Sequence, residues 1–70
     1  MNITRGDHVQ ATTASGETIT MRALGSPEPG YTFEVLWVAT EDEWDRAEAA
    51  GTEPDGLPWP TDAIRQAASA

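Results

Sequence analysis

A chain of 70 residues with a formal charge of −8 and no cysteine holds a single domain. It buries only about 60% of the surface that its unfolded form exposes. Twelve acids face four scattered arginines and no lysine, which excludes the clustered cations that nucleic acid or an anionic membrane requires.

The first predicted strand runs from about His8 to Thr13 and the second from about Glu17 to Leu24. A three-residue loop, Ala14-Ser15-Gly16, with Gly16 left-handed, puts Val9, Ala11, Ile19, Met21 and Ala23 on one face. A two-residue loop would split them between faces. The opposite face (His8, Gln10, Thr12, Thr18, Thr20, Arg22) is then solvated. Gly25-Ser26-Pro27-Glu28-Pro29-Gly30 reads as a loop, because its two prolines cannot join a central ladder.

Tyr31 to Ala39 is the strongest strand, dense in aromatic and β-branched residues. Tyr31, Phe33, Val35 and Trp37 share one face, and Thr32, Glu34, Leu36 and Val38 share the other. Its second half is apolar on both sides, so a further segment must cover Leu36 and Val38. Thr40 with Glu43 three residues on forms a capping box for a helix over Glu41–Ala50. Trp44, Ala47 and Ala50 lie on one face of that helix, Asp42 and Arg46 form an i,i+4 pair, and Gly51 ends it. Leu57-Pro58-Trp59-Pro60 must be extended; its tryptophan is expected to anchor the segment over Leu36 and Val38. Thr61 can cap a last short helix over about 62–68.

These elements form one domain over residues 1–70: a sheet over about 8–39, a helix over about 41–50, a Pro/Trp segment over 54–60 and the last helix. The expected fold class is α+β, a three-stranded antiparallel meander packed by one or two short C-terminal helices. The expected core is Val9, Ile19, Met21, Phe33, Val35, Leu36, Trp37, Val38, Trp44, Leu57, Trp59 and Ile64.

Chemistry-bearing motifs are sparse. The acidic run Glu41-Asp42-Glu43-Trp44-Asp45 lacks the Asp-x-Asp-x-Asp-Gly pattern of a calcium loop and suits the first turn of a helix, where acids complement the dipole. His8 is the single histidine and reads as an exposed strand residue beside Arg22. There is no Ser/His/Asp order, Gly-x-Ser-x-Gly, phosphate loop or Cys/His metal spacing. No catalytic residue, cofactor or metal is therefore expected.

The stretches Val38-Ala39-Thr40-Glu41-Asp42-Glu43-Trp44-Asp45-Arg46-Ala47 and Glu53-Pro54-Asp55-Gly56-Leu57-Pro58-Trp59-Pro60 resemble the C-terminal half of short, uncharacterised actinobacterial proteins. That resemblance implies that the Trp-Pro segment belongs to the domain, and it carries over no activity. Gly6-Asp7-His8-Val9 resembles the opening of Src-homology-3-like small barrels, which implies a small β-barrel with a C-terminal helix as the alternative fold.

The composition favours a small acidic, non-catalytic interaction module, monomeric or weakly dimeric, that docks on a basic protein. Tyr31, Trp37 and Trp59 would supply the aromatic contacts, and Glu41, Asp42 and Asp45 the charge. The alternatives are an acidic mimic of nucleic acid that blocks a DNA-binding protein and a small hydrolase or metal-binding protein. The N-terminus has no apolar leader segment, the longest apolar run is Val35 to Ala39, and cysteine is lacking. Together these predict a cytoplasmic protein.

Overall fold

The computed structural model describes residues 2–66. Six strands form one antiparallel sheet: β1 (His8–Thr12), β2 (Thr18–Ala23), β3 (Glu28–Pro29), β4 (Glu34–Thr40), β5 (Leu57–Pro60) and β6 (Ile64–Gln66). Among the described residues a single α-helix, α1 (Glu41–Ala50), follows β4, and a 3-10 turn, Thr61–Ala63, separates β5 from β6. The expected three-stranded meander is therefore too small. The sheet curls into a half-barrel, compatible with the alternative small barrel.

The first hairpin folds as its alternation requires. Thr12 pairs with Thr18, the Thr13 N–H donates to the Glu17 carbonyl at 2.8 Å, and Gly16 takes φ 89°. Val9, Ala11, Met21 and Ala23 all point into the core. β2 then pairs with β4 through Met21↔Thr40, Arg22↔Ala39 and Ala23↔Val38. The Leu24 N–H continues this ladder onto the Trp37 carbonyl at 2.8 Å.

Glu28 and Pro29 are not loop residues. They resume pairing with Val35 and Glu34 as β3. Val35 and Val38 both also pair with β5, so β5 must occupy one edge of β4 while β2 and β3 share the other. The residues between Leu24 and Glu28 are a bulge in one long, bent strand, a device that strengthens sheet twist. The Gly30 N–H donates to the Phe33 carbonyl at 3.0 Å, and a Cβ on Gly30 would lie only 2.5 Å from that oxygen. Only glycine fits this turn.

β5 pairs Leu57, Pro58, Trp59 and Pro60 with Val38, Trp37, Leu36 and Val35. Because the backbone of Trp37 bonds toward β2, Leu36 and Val38 bond toward β5. The bonded positions of β5 are then Leu57 and Trp59. The nitrogens of Pro58 and Pro60 face away from β4, where no ladder bond is lost. The expected cover over Leu36 and Val38 is thus a neighbouring strand, whose Trp59 side chain turns inward. It packs against the core, and its Nε1–H donates to the Thr12 carbonyl at 3.3 Å.

The final helix expected over about 62–68 is replaced by the 3-10 turn and β6; positions 67 and 68 lie outside the described residues. A seven-residue helix is marginal in isolation. The free edge of β1 offers Ile64–Gln66 ladder partners at Ala11, Gln10 and Val9 and buries Ile64.

The main core contains Ile3, Val9, Ala11, Met21, Ala23, Leu36, Val38 and Ile64, with Trp59 against it. Of the expected core, Ile19, Phe33, Trp37 and Leu57 are instead exposed at 39%, 51%, 41% and 57%, and Val35 and Trp44 are half-buried. The parity of the β2–β4 register explains Phe33, Val35 and Trp37. Pairing Val38 with inward-facing Ala23 turns Leu36 and Val38 inward and the alternate residues out. Ile3, absent from the expected set, closes the core from the segment before β1.

Leu36 is fully buried, so Leu36→Ala costs about 2–5 kcal/mol, against a total stability near 4–10 kcal/mol for ~70 residues. Ile19→Ala, on a half-exposed side chain, costs under about 1 kcal/mol. Urea unfolding of both variants checks the contrast. Equal losses would show that the assigned inward face is wrong.

Candidate functional site

The outer face of β4 carries Val35, Trp37 and Ala39 in alternation, and Phe33 precedes them just before the strand. Helix α1 covers one end of it. Ala39 and Ala47 are buried there, and the helix start is fixed by the Thr40 hydroxyl, which accepts from the Glu43 N–H at 3.1 Å. Gly51 closes the helix in a left-handed conformation, φ 70°, with its N–H shared between the Ala47 and Glu48 carbonyls. The other end of the face has no helix over it.

At that open end, Tyr31, Phe33, Val35 and Trp37 line a shallow depression of about 390 Å³ together with Pro58, Pro60 and Glu28. The register places Glu28 opposite Val35, Pro60 opposite Val35 on the other edge and Pro58 opposite Trp37, so all project from one face. Tyr31 stands free of the surface, with an exposure of 109%. Glu28 is the acid that lines this depression. Its Oε1 accepts from Trp37 Nε1–H at 2.8 Å, which fixes both the indole and the carboxylate.

The expected binding residues divide. Tyr31 and Trp37 come together in the depression. Trp59 faces the core from the opposite side of the sheet. Glu41, Asp42 and Asp45 lie on α1, and Glu41 is held by its own neighbours. Its Oε1 is 2.9 Å from His8 Nε2, and its Oε2 accepts from Arg22 Nε at 3.5 Å. Asp42 and Asp45 are exposed. Phe33, Val35, Glu28, Pro58 and Pro60 were not among the expected site residues. The alternation of β4 groups Phe33 and Val35 with Tyr31 and Trp37, but the register that exposes that face depends on the bulge after β2.

A second aromatic cluster lies under α1. The guanidiniums of Arg5 and Arg22 stand over the Trp44 ring at 5.5 Å and 5.4 Å. Each is also bonded to acid and backbone. Arg5 reaches Glu53 at 3.1 Å and the Leu24 carbonyl at 3.1 Å, and Arg22 reaches Glu41 and the Gly6 carbonyl, the latter at 2.9 Å. Arg5 and Trp44 border a smaller hollow of about 220 Å³ with Glu48, Thr52 and Pro54.

The first turn of α1 departs from two expected side-chain partnerships at Glu43. Its carboxylate does not reach back to the helix cap, and Arg46 bonds to it at 2.6 Å and 2.9 Å in place of Asp42. It also accepts the Asp55 N–H at 2.8 Å, tying the helix to the segment leading into β5. The Arg46 hydrogen bonds, then the Asp55 N–H, hold the Glu43 carboxyl down from 4.5 to about 2, and the same pairing raises Arg46.

Among the described residues, no three His, Cys, Asp or Glu side chains converge to hold a metal ion. No described helix is long and apolar enough to cross a membrane. No protein-family model matches the chain, and no curated protein or solved structure is significantly similar to it.

The folded state keeps Glu43 ionised where the unfolded chain would already bind a proton. Its contribution to stability is therefore fully present above pH 4.5 and fades as the pH falls toward about 2. Glu43→Gln should be less stable than the parent at neutral pH, with the gap narrowing through that window. Urea titrations at a series of pH values read the gap, and one that stays constant with pH would contradict the assignment.

Proposed function

We propose that this chain is a small acidic, non-catalytic protein–protein interaction module that docks through the open end of the outer face of β4 and β5. One observation carries the reading: a domain with few large apolar side chains leaves Tyr31, Phe33 and Trp37 exposed side by side. Aromatic anchors surrounded by polar groups are the usual energetic centre of a protein interface. Scattered single apolar residues need no explanation, whereas a contiguous group on one face does.

The partner is basic. Twelve acids against four arginines give the whole surface a negative field, which speeds encounter with a positively charged protein and repels acidic ones. Asp42 and Asp45 belong to that field and stand outside the contact itself. The lack of cysteine fits the reducing cytoplasm as the working compartment.

Affinity capture from native cell extract tests the reading. The wild-type chain is compared with a Tyr31→Ser/Phe33→Ser variant at low and high salt. Both substituted side chains are exposed, so the variant should keep its fold, which circular dichroism verifies. A specific partner should be retained by the parent, lost at least about 30-fold by the variant and weakened by salt. Identical retention by both proteins would remove this face as the docking surface.

A further inference from the structure

The chemistry of the partner group follows from a comparison of two tryptophans. Trp44 has two guanidiniums over its indole, Arg22 at 5.4 Å and Arg5 at 5.5 Å, and each of those arginines also pairs with a carboxylate, Glu41 and Glu53 respectively. The result is a repeated unit of aromatic ring, carboxylate and guanidinium. Trp37 reproduces the first two parts. Its Nε1–H is bonded to Glu28 at 2.8 Å, and Phe33 and Tyr31 add two further ring faces to the same 390 Å³ depression. Among the described residues, no cation pairs with Glu28.

The chain's own arginines are committed elsewhere. Arg5 and Arg22 serve Trp44, and Arg46 serves Glu43. Arg65 lies on β6, separated from β4 by β1 and β2. We propose that Glu28, Trp37, Phe33 and Tyr31 form the acceptor site for an arginine side chain presented by the partner protein. This rests on the docking reading above and assigns its central contact.

The physical case has three parts. The Trp37 bond occupies one oxygen of Glu28 and orients the carboxylate, leaving the second oxygen free to accept N–H donors. The indole and phenyl faces attract a cation through their quadrupoles. A planar, weakly hydrated guanidinium can stack on a ring and donate to a carboxylate together, whereas an ammonium is a compact, strongly hydrated point charge. Pro58 and Pro60 complete the apolar wall of the depression, against which the aliphatic stem of an arginine can lie. A second copy of the chain suits the face poorly. It would bring one Glu28 toward another and one charge of −8 against a second.

The test is a heteronuclear NMR titration of the intact protein with three capped tripeptides, Gly-Arg-Gly, Gly-Lys-Gly and Gly-citrulline-Gly. Citrulline keeps the shape of arginine and removes its charge. The arginine peptide should shift the Trp37 Nε1–H resonance and the Phe33 amide in a saturable way. The lysine peptide should bind roughly fivefold more weakly, and citrulline should produce no saturable shift. Glu28→Gln should weaken the arginine peptide by about five- to tenfold. Its amide oxygen can still accept from Trp37, and the same spectra report whether the fold is intact.

Failure of the arginine peptide to shift these resonances overturns the assignment. So does binding of citrulline or lysine equal to that of arginine, or indifference to Glu28→Gln. Shifts at these residues that track protein concentration alone would assign the face to a second copy and overturn it too. Because capture by the wild type and loss by the Tyr31→Ser/Phe33→Ser variant are read separately, the arginine site can fail while the docking face stands.

Discussion

The alignment of Ala23 with Val38 across β2 and β4 is the constraint from which the rest of the structure follows. Side chains alternate along a strand, so this pairing assigns every residue of β4 to a side. Leu36 and Val38 join Val9, Ala11, Met21 and Ala23 in the core, while Phe33, Val35 and Trp37 face out. A slip of one residue would bury the aromatics and leave Leu36 and Val38 in water. The β5 segment inherits the same parity from β4. Trp59, opposite Leu36, turns in, and Pro58 and Pro60 turn out. Core, aromatic face and proline wall are consequences of a single register.

That constraint also marks where the sequence was legible and where it was not. The first hairpin was legible because its loop is short and Gly16 stands at the left-handed position, so alternation alone chose the register. Helix α1 was legible from Thr40 at one end and Gly51 at the other. The face of β4 was not, because Leu24 to Gly30 contains two glycines and two prolines and reads as a loop. Such a segment hides whether an odd or even number of residues separates the paired positions. Tyr31 and Trp37 share a face by alternation and do lie in one depression, whereas Trp59 shares only their residue type and packs against the core. β6 escaped notice because its three residues gain order from the open edge of β1, a tertiary effect that local propensity does not record.

An acidic chain with four arginines is sensitive to where those cations lie. Three of them neutralise internal acids or rest on Trp44, in contacts that join the segment before β1, strand β2, the helix and the turn after it. Helix α1 is thus held to the sheet by side-chain pairing as much as by apolar burial, since the main core contains no helical residue, whereas the N-terminal arm also buries Ile3 in that core. Individually such exposed pairs contribute little. Here the guanidiniums also cover the indole, so each arginine supplies packing area along with charge.

The orientation of Pro58 and Pro60 has a separate consequence. An outermost strand normally displays unpaired amides to which another chain can zip, the usual route to runaway fibre growth. At both positions β5 has a ring where an amide hydrogen would stand, so its outer margin accepts hydrogen bonds without donating any there. A neighbouring backbone cannot complete a ladder along it. The molecule can therefore keep three bare aromatic rings next to a sheet boundary without inviting its own kind to extend that sheet. Whatever approaches this margin must be recognised by its side chains.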